Sequence, residues 1–328
     1  MAGNRYYAGA PSDHFDGVRF FNPGQPSTDR SLGELLRWRV GTGRERWPDR
    51  VANAPAAKPP MRVDGLRITM VGHATVLIQL AGYNLLVDPV WSERASPLRW
   101  AGPRRANAPG VAFADLPPID AVLITHNHYD HLDLATLRRI WSTHHPRFIA
   151  PLGNGTLIAK AIGEDKAELA DWGDTIAIGH ESRVTLVPAH HWSARTWGDR
   201  RMALWCGFVI QSPAGLVYNV GDTAYGDGII FSDIASRFGA PDVAILPIGA
   251  YEPRGFMKDQ HVNPDEAVRI MMACGALQGL GVHWGTFQLT NEARSAPPEA
   301  LAVALHKYGI ARDRFLALEP GDVWSKAG

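Results

Sequence analysis

The chain has 328 residues, 45% hydrophobic and 20% charged, the make-up of an ordinary globular protein long enough for one large α/β domain or two small ones. Lys+Arg and Asp+Glu are equal at 33 each, so no global field draws in nucleic acid, and none is expected as a partner. No apolar run is long enough to cross a bilayer and there is no apolar leader core, so a cytoplasmic protein is expected, touching at most the inner membrane face.

Residues 1–60 read as an arm. Tyr6, Tyr7, Phe15, Phe20 and Phe21 stand among Gly, Pro and Asp with little periodicity. A short helix is predicted over residues 31–40, capped by Ser31 or Asp29. Arg37, Arg39, Arg44, Arg46 and Arg50 then crowd around Trp38 and Trp47. Such a patch suits a membrane surface or phosphates; the preferred reading is a solvated arm wrapped on the core, with its aromatics as anchors. Residues 54–60, rich in Ala and Pro, read as a linker, so the main domain is expected over 61–328.

Strands are predicted over 66–71, 75–80 and 83–88, the last two joined at Ala81-Gly82, with His73 between the first two. The segment 89–110 carries Trp91, Arg94, Arg99, Trp100, Arg104 and Arg105. Then an apolar run, Ala121 to Ile124, with the length and branching of a buried strand, delivers Thr125-His-Asn-His-Tyr-Asp-His-Leu-Asp133. A helical pattern follows, closed by His144 and His145, where imidazolium suits the dipole. Further on come a strand over 147–150, a helix over 153–162, and strands over 174–178 and 183–188 that lead to His190 and His191.

The second half echoes the first. Residues 208–222 repeat the hairpin ending in Asp that 76–88 spell out, and 241–247 repeat the buried strand of 119–125. Two such halves facing each other make a sheet-on-sheet sandwich with helices outside, and loops from both meet at one edge. Helices are predicted over 267–274, with Asn263 as cap and Pro264 in first position, and over 297–308, with a strand ending in His283 between them. Cys206 and Cys274 lie in apolar segments without ligand spacing, as buried thiols in a reducing compartment would.

The loop after residue 124 concentrates the chemistry. His126, His128, Asp130 and His131 are four metal-competent side chains between a strand end and a helix start. His126 and His128 alternate and point the same way, whereas Asp130 and His131 lie at the turn and aim elsewhere, so one loop can serve two adjacent ions. Imidazole and carboxylate suit zinc, and also iron or manganese. His191, Asp222 and His283 each follow an apolar run, as side chains exposed at a sheet edge do.

The His-x-His-x-Asp-His pattern behind a buried strand resembles the signature of the metallo-β-lactamase superfamily, which implies a four-layer αββα sandwich. Six stretches narrow the likeness: Asp88-Pro-Val-Trp-Ser-Glu-Arg-Ala-Ser-Pro97, Leu116-Pro-Pro-Ile-Asp-Ala-Val-Leu-Ile124, Thr125 to Asp133, Pro247-Ile-Gly-Ala-Tyr-Glu-Pro-Arg254, Gln260-His-Val-Asn-Pro-Asp-Glu-Ala-Val-Arg269 and Val282-His-Trp-Gly-Thr-Phe287. Together, over about residues 61–318, they resemble the phospholipases D that hydrolyse N-acylphosphatidylethanolamine and their bacterial relatives. The resemblance implies that His126, His128 and His191 bind one zinc, that Asp130, His131 and His283 bind the other, and that Asp222 bridges them. It implies catalytic parts for Asp130, Asp222 and His261, with His261 protonating a leaving group or orienting a phosphate, and substrate contacts for Tyr251, Arg254 and His261. His190 departs from the family pattern, where an amide side chain precedes the ligand histidine.

Asp88, the echo of Asp222, is expected behind the metals, orienting a ligand histidine. For His73 two readings stand: support of the same kind, or a buried, hydrogen-bonded strand histidine. The function expected is hydrolysis of a phosphodiester by hydroxide held between two zinc ions, on a small molecule or a phospholipid. The alternatives are a lactonase or ester hydrolase of the same fold, and a non-enzymatic metal-binding protein. Peripheral membrane contact and a homodimer are left open; for the former, segments 38–50 and 91–105 would share an amphipathic face beside the metal loop.

Overall fold

The computed structural model describes residues 3–29, 33, 43–54 and 56–326; the helix expected over 31–40 lies outside the described residues. Two seven-stranded sheets form the centre. The first contains β1 (Leu66–Gly72), β2 (Thr75–Leu80), β3 (Tyr83–Val87), β4 (Ala121–Leu123), β5 (Arg147–Pro151) and β6 (Ala167–Ala170), with β14 (Val323–Ser325) beyond β1 at the edge. The second contains β7 (Thr175–Ala177), β8 (Arg183–Val187), β9 (Gly207–Ser212), β10 (Gly215–Asn219), β11 (Val243–Pro247), β12 (Gln278–Val282) and β13 (Phe315–Ala317), in spatial order. The helices are α1 (Leu134–His144), α2 (Gly155–Ile162), α3 (Ile229–Phe238), α4 (Arg254–Met257), α5 (Pro264–Ala273) and α6 (Ala296–Lys307).

Alternation along the strands sorts the side chains into layers. In β2, Val76, Ile78 and Leu80 face Leu186, Phe208, Ile210 and Val217 of the second sheet, and this seam is fully buried. Leu77 of the same strand turns the other way and meets Leu86, Val122 and Phe148 beneath Leu137 and Ile140 of α1. On the far side Val209, Tyr218, Ala244 and Leu246 pack under Phe231 of α3, Val268 and Met271 of α5, and Leu301 and Leu305 of α6. Each such side chain contributes about 1.5–3 kcal/mol by leaving water. Helix, sheet, sheet, helix is the αββα order that the sequence predicts.

The internal echo is real in three dimensions. β2 and β3 form an antiparallel hairpin, turned through Ala81 and Gly82, both at positive φ (46° and 81°) as a tight right-twisted hairpin requires, and β3 then pairs in parallel with β4. β9, β10 and β11 repeat that arrangement. The predicted α5 starts where expected: Asn263 accepts from Glu266 N while the Glu266 carboxylate reaches back to Asn263 N. Cys206 and Cys274 are buried free thiols.

Candidate metal centre

Every expected ligand leaves a strand at the same edge of the sandwich. β3 ends at Asp88, β4 runs into the histidine loop, β8 leads to His191, β10 to Asp222 and β12 to His283; His73 sits in the β1–β2 turn. His73, Asp88 and His283 have left-handed backbone, with φ of 57°, 41° and 61°. The loop re-enters helix through Asp133, whose carboxylate accepts from Ala135 N at 3.0 Å, from Thr136 Oγ1 at 2.6 Å and from Ser92 N at 3.0 Å. That cap fixes where the loop ends.

The side chains converge as two neighbouring groups. His126 Nε2 lies 2.8 Å from His128 Nδ1, and His191 Nε2 lies 3.3 Å from the same atom. On the other side His283 Nε2 is 3.2 Å and His131 Nε2 3.5 Å from Asp130 Oδ2. Asp222 Oδ2 stands between the groups, 3.1 Å from His283 Nε2, 3.2 Å from His131 Nε2 and 3.7 Å from His191 Nε2. All seven are buried apart from His128, which is half-buried.

Hydrogen bonds behind the ligands fix which nitrogens face inward. Thr125 Oγ1 gives its proton to Asp88 Oδ2 at 2.6 Å, so toward His126 Nδ1, 3.0 Å away, it can only accept. His126 therefore carries its proton on Nδ1 and turns the Nε2 lone pair inward. His131 Nδ1 donates to Asp88 Oδ2 at 2.7 Å and His191 Nδ1 donates to the Gln260 carbonyl at 2.9 Å, leaving both Nε2 atoms facing the centre. Asp88 thus holds His131 from behind, with the ring's other nitrogen facing the centre. His73 resolves the same way: its Nε2 donates to Asp130 Oδ2 at 2.9 Å while its ring lies against His283. His191, not His190, turns into the cluster; His190 packs toward Phe231.

The charges ask for cations. Burial, reinforced by neighbouring imidazoles, holds His126 far below the usual histidine range, and burial brings His128 and His191 down to about 3, so this group offers neutral lone pairs. Burial also opposes protonation of His131 and His283, but Asp222 and Asp130 outweigh it, raising His131 well above its ordinary value and His283 to about 9. Asp130 and Asp222 are pushed up by burial and pulled down further by those imidazoles, ending well below the carboxylate range. Positive charge is therefore favoured between the carboxylates. His131 Nε2 is buried with no well-aligned hydrogen-bond partner, 3.2 Å from Asp222 Oδ2, a place where a metal cation would take over from a proton. The residues fit a divalent-metal centre.

A cavity of about 820 Å³ opens onto the cluster, and His128, Asp130, Asp222 and His261 lie in its floor. Its walls are Tyr129, Trp192, Trp197, Phe256, Met257 and Leu289, with Arg195 and Arg200 among them. His261, brought down to about 3 by burial, sits with Nδ1 3.8 Å from Asp222 Oδ2.

Tyr251 and Arg254, expected to meet substrate, stand apart from the cavity lining. The Arg254 guanidinium is held by Glu266 at 2.8 and 3.0 Å and donates to the His261 carbonyl at 2.9 Å, so it braces His261 from behind. Tyr251 is buried, its backbone N–H given to Glu292. The segment 91–105, expected to share an amphipathic face, is divided between buried and exposed residues. Trp91 donates to the Val111 carbonyl and packs on Phe113, and Arg105 is 2% exposed, whereas Pro97, Leu98, Arg99 and Trp100 are exposed.

Sequence reasoning passed over Arg195. Its guanidinium donates to the carbonyls of Asn127 and Leu132 at 2.9 and 2.7 Å, and lies 3.9 Å over the Tyr129 ring, clamping the histidine loop across its width. Trp192 was passed over too: its ring stands edge-on to His128, with the Arg200 guanidinium 3.5 Å from the centre of the Trp192 ring. The only sequence hint for either was adjacency to His191.

A β-lactamase superfamily domain model matches residues 83–284. An N-acyl-phosphatidylethanolamine-hydrolyzing phospholipase D of Caenorhabditis elegans is 35% identical over 270 residues, 79% of this chain and 76% of the relative. The mitochondrial protein of that name from Saccharomyces cerevisiae is 32% identical over 258 residues, 77% of this chain and 54% of the relative. Among solved structures, a metallo hydrolase of the archaeon Ignicoccus hospitalis superposes with a TM-score of 0.59 at 20% identity, covering 80% of this chain and 99% of that one, a likeness of fold. The chain belongs to the β-lactamase superfamily and is a metal-dependent hydrolase of the metallo-β-lactamase fold.

Proposed function

We propose that this hydrolase is a phosphodiesterase of phospholipase D type, cleaving N-acylphosphatidylethanolamine-like glycerophosphodiesters at a centre of two zinc ions. The observation that carries the reading is an aromatic-walled cavity of about 820 Å³ with the whole donor set in or beneath its floor, in a chain 35% identical to a phospholipase of that name. His126, His128 and His191 would hold one ion, Asp130, His131 and His283 the other, with Asp222 shared between them. Two ions there supply a water acidic enough to attack at neutral pH and neutralise the charge that builds on the phosphate oxygens.

The chain's own groups do the rest. Asp130 lies in the cavity floor, where its carboxylate can accept a hydrogen bond from the attacking water. His261 is buried and held neutral, so of its two expected roles it takes orientation, as a hydrogen-bond donor to a phosphate oxygen. Trp192, Tyr129 and Met257 exclude water and offer apolar surface to an acyl chain. A lipid surface would meet Trp197, in the cavity wall and 91% exposed, and Leu98 and Trp100, 44% and 78% exposed on either side of Arg99 in the chain.

Elemental analysis of protein purified without chelator, followed by a hydrolysis panel, tests this. About two zinc ions per chain and turnover of N-acylphosphatidylethanolamine over lactones are expected. One ion or none would sink the two-metal centre, and lactone turnover without diester turnover would make the enzyme a lactonase. Arg99→Glu with Trp100→Ala should weaken binding to anionic vesicles while sparing a small soluble diester; equal vesicle binding removes the membrane contact.

A further inference from the structure

Much of the cavity wall is irregular chain. Residues 188–206, between β8 and β9, contain no helix or strand, yet they carry His191, Trp192, Arg195 and Arg200. A connection that long does not hold one shape by its own backbone bonds. Many of its partners come from the start of the chain, beside others such as the Leu152 and Thr125 carbonyls. Phe15 and Phe20, at most 1% exposed, pack against Ala189, Leu204 and Trp205, the two ends of the stretch. Asn22 Nδ2 donates to the His191 carbonyl at 2.9 Å while its Oδ1 accepts from Trp205 Nε1 at 3.1 Å. Tyr6 donates at 2.7 Å to Asp199, the carboxylate that also gathers Arg195 N and Thr196 N. Asp29 takes Arg200 and Arg201, each at 2.7 Å.

A later part of the same segment holds another wall. Leu289 and Thr290 line the cavity from the irregular stretch after β12. Glu45 N donates to the Asn291 carbonyl at 2.9 Å, Gln288 Nε2 to the Glu45 carbonyl at 2.5 Å, and Trp47 Nε1 to the Glu292 carbonyl at 2.8 Å. Val51 N then donates to the Ala106 carbonyl at 2.6 Å, and Arg50 pairs with Glu93 in the loop whose Ala95 also lines the cavity.

We infer that the N-terminal segment is a working part of the active site: residues 4–29 position His191 and its wall, residues 44–51 position the wall of Leu289 and Thr290, and together they set the bulk of substrate the cavity admits. The bonds are individually modest, about 1 kcal/mol each, but they add to a stretch whose own backbone bonds are few, such as Arg201 N to the Ser193 carbonyl and Met202 N to the Asp199 carbonyl. The size-selection part rests on the phosphodiesterase reading; the positioning of the walls does not.

The test uses full-length, zinc-loaded protein with Asn22→Ala, Tyr6→Phe and Trp47→Phe. Tyr6→Phe removes one hydrogen bond and keeps the ring, and Trp47→Phe removes one hydrogen bond and keeps an aromatic side chain of smaller size, so both are expected to fold. Leu301→Ala in α6 serves as a control for general destabilisation. Amide hydrogen exchange should quicken across 190–202 for Asn22→Ala and Tyr6→Phe, and across 286–292 for Trp47→Phe. Asn22→Ala should lose zinc to a chelator about tenfold faster. For long-chain N-acylphosphatidylethanolamine in mixed micelles KM should change several-fold with kcat nearly held, and for bis(4-nitrophenyl) phosphate it should change less. Wild-type exchange in both stretches overturns the inference, as does a ratio of the two substrates no different from that of Leu301→Ala. If the wild type cleaves neither diester, the phosphodiesterase reading fails, and exchange with zinc loss alone decides the positioning.

Discussion

The two halves of the sandwich share a plan and divide the work unequally. In the first half one loop after β4 delivers His126, His128, Asp130 and His131; in the second half three strand ends deliver His191, Asp222 and His283 one at a time. Asp88 and Asp222 occupy matching hairpin ends. Yet Asp88 accepts from Thr125 and His131, whereas Asp222 stands within 3.7 Å of three imidazoles of the cluster, those of His131, His191 and His283. Similar backbone thus offers two carboxylates, and what faces each one decides whether it meets metal or the histidine behind it.

The largest effect should follow from removing the carboxylate of the second half. Asp222→Asn keeps the shape and loses the charge shared between the two donor groups, so turnover should fall by about a thousandfold with little change in melting temperature. Steady-state kinetics beside elemental analysis measures it; wild-type turnover and metal content would end the shared role. Its counterpart, Asp88→Asn, should instead weaken metal binding about 10–100-fold, with activity restored by added zinc. If the two variants behaved alike, the division between the halves would be wrong.

A third variant tests the cost of crowding four ligands into one loop. Arg195 ties the carbonyls of Asn127 and Leu132, and no such clamp is needed where a strand carries the ligand. Arg195→Ala should destabilise the protein by about 3 kcal/mol, seen in urea unfolding, with the earliest hydrogen exchange in the histidine loop. Unchanged stability would show that the loop holds itself.

The smallest effect is a pH response on the His191 side. Burial pushes Asp199 and Asp29 up, but bonds from Thr196, Arg195 and Tyr6 in the one case and from Arg201 and Arg200 in the other leave both below the ordinary carboxylate value. A depressed folded pKa contributes stability that is present above the unfolded value, about 3.9, and is lost as pH falls through the lower folded value. Exchange in residues 4–29 should therefore rise below about pH 4 before the sheets open. Simultaneous opening of both would count against it.

What could be read from the chain follows from how far each signal travels. The histidine loop is contiguous, and His191, Asp222 and His283 announce themselves as polar residues ending apolar runs. The hairpins are legible because β2, β3, β9 and β10 carry apolar runs joined by Ala-Gly turns. β6 was missed because it is an edge strand with one buried residue, and α3 because Ile229 faces solvent at 65% exposure and blurs the apolar stripe. Arg254 misled for a different reason. Its place in a recognisable motif says it is near the site, but its direction is set by Glu266, which also closes the cap of α5. Asn22 could not be found at all, since its partner is 169 residues away.

The left-handed backbone at His73, Asp88 and His283 has a consequence for how this site can change. At φ near +50° a β-branched side chain is disfavoured by sterics, while Asn, Asp, His and Gly are admitted. A saturation library at position 88 would therefore pass through two sieves of different mesh. The backbone sieve keeps a handful of residues, and the need for a carboxylate keeps one of them. Val and Ile would drop out as unfolded, whereas Asn and Gly would survive as folded protein with a loosened His131. Loss of function at this corner thus has a soluble, well-formed intermediate within one substitution, from which a new chemistry could be selected without first rebuilding the fold.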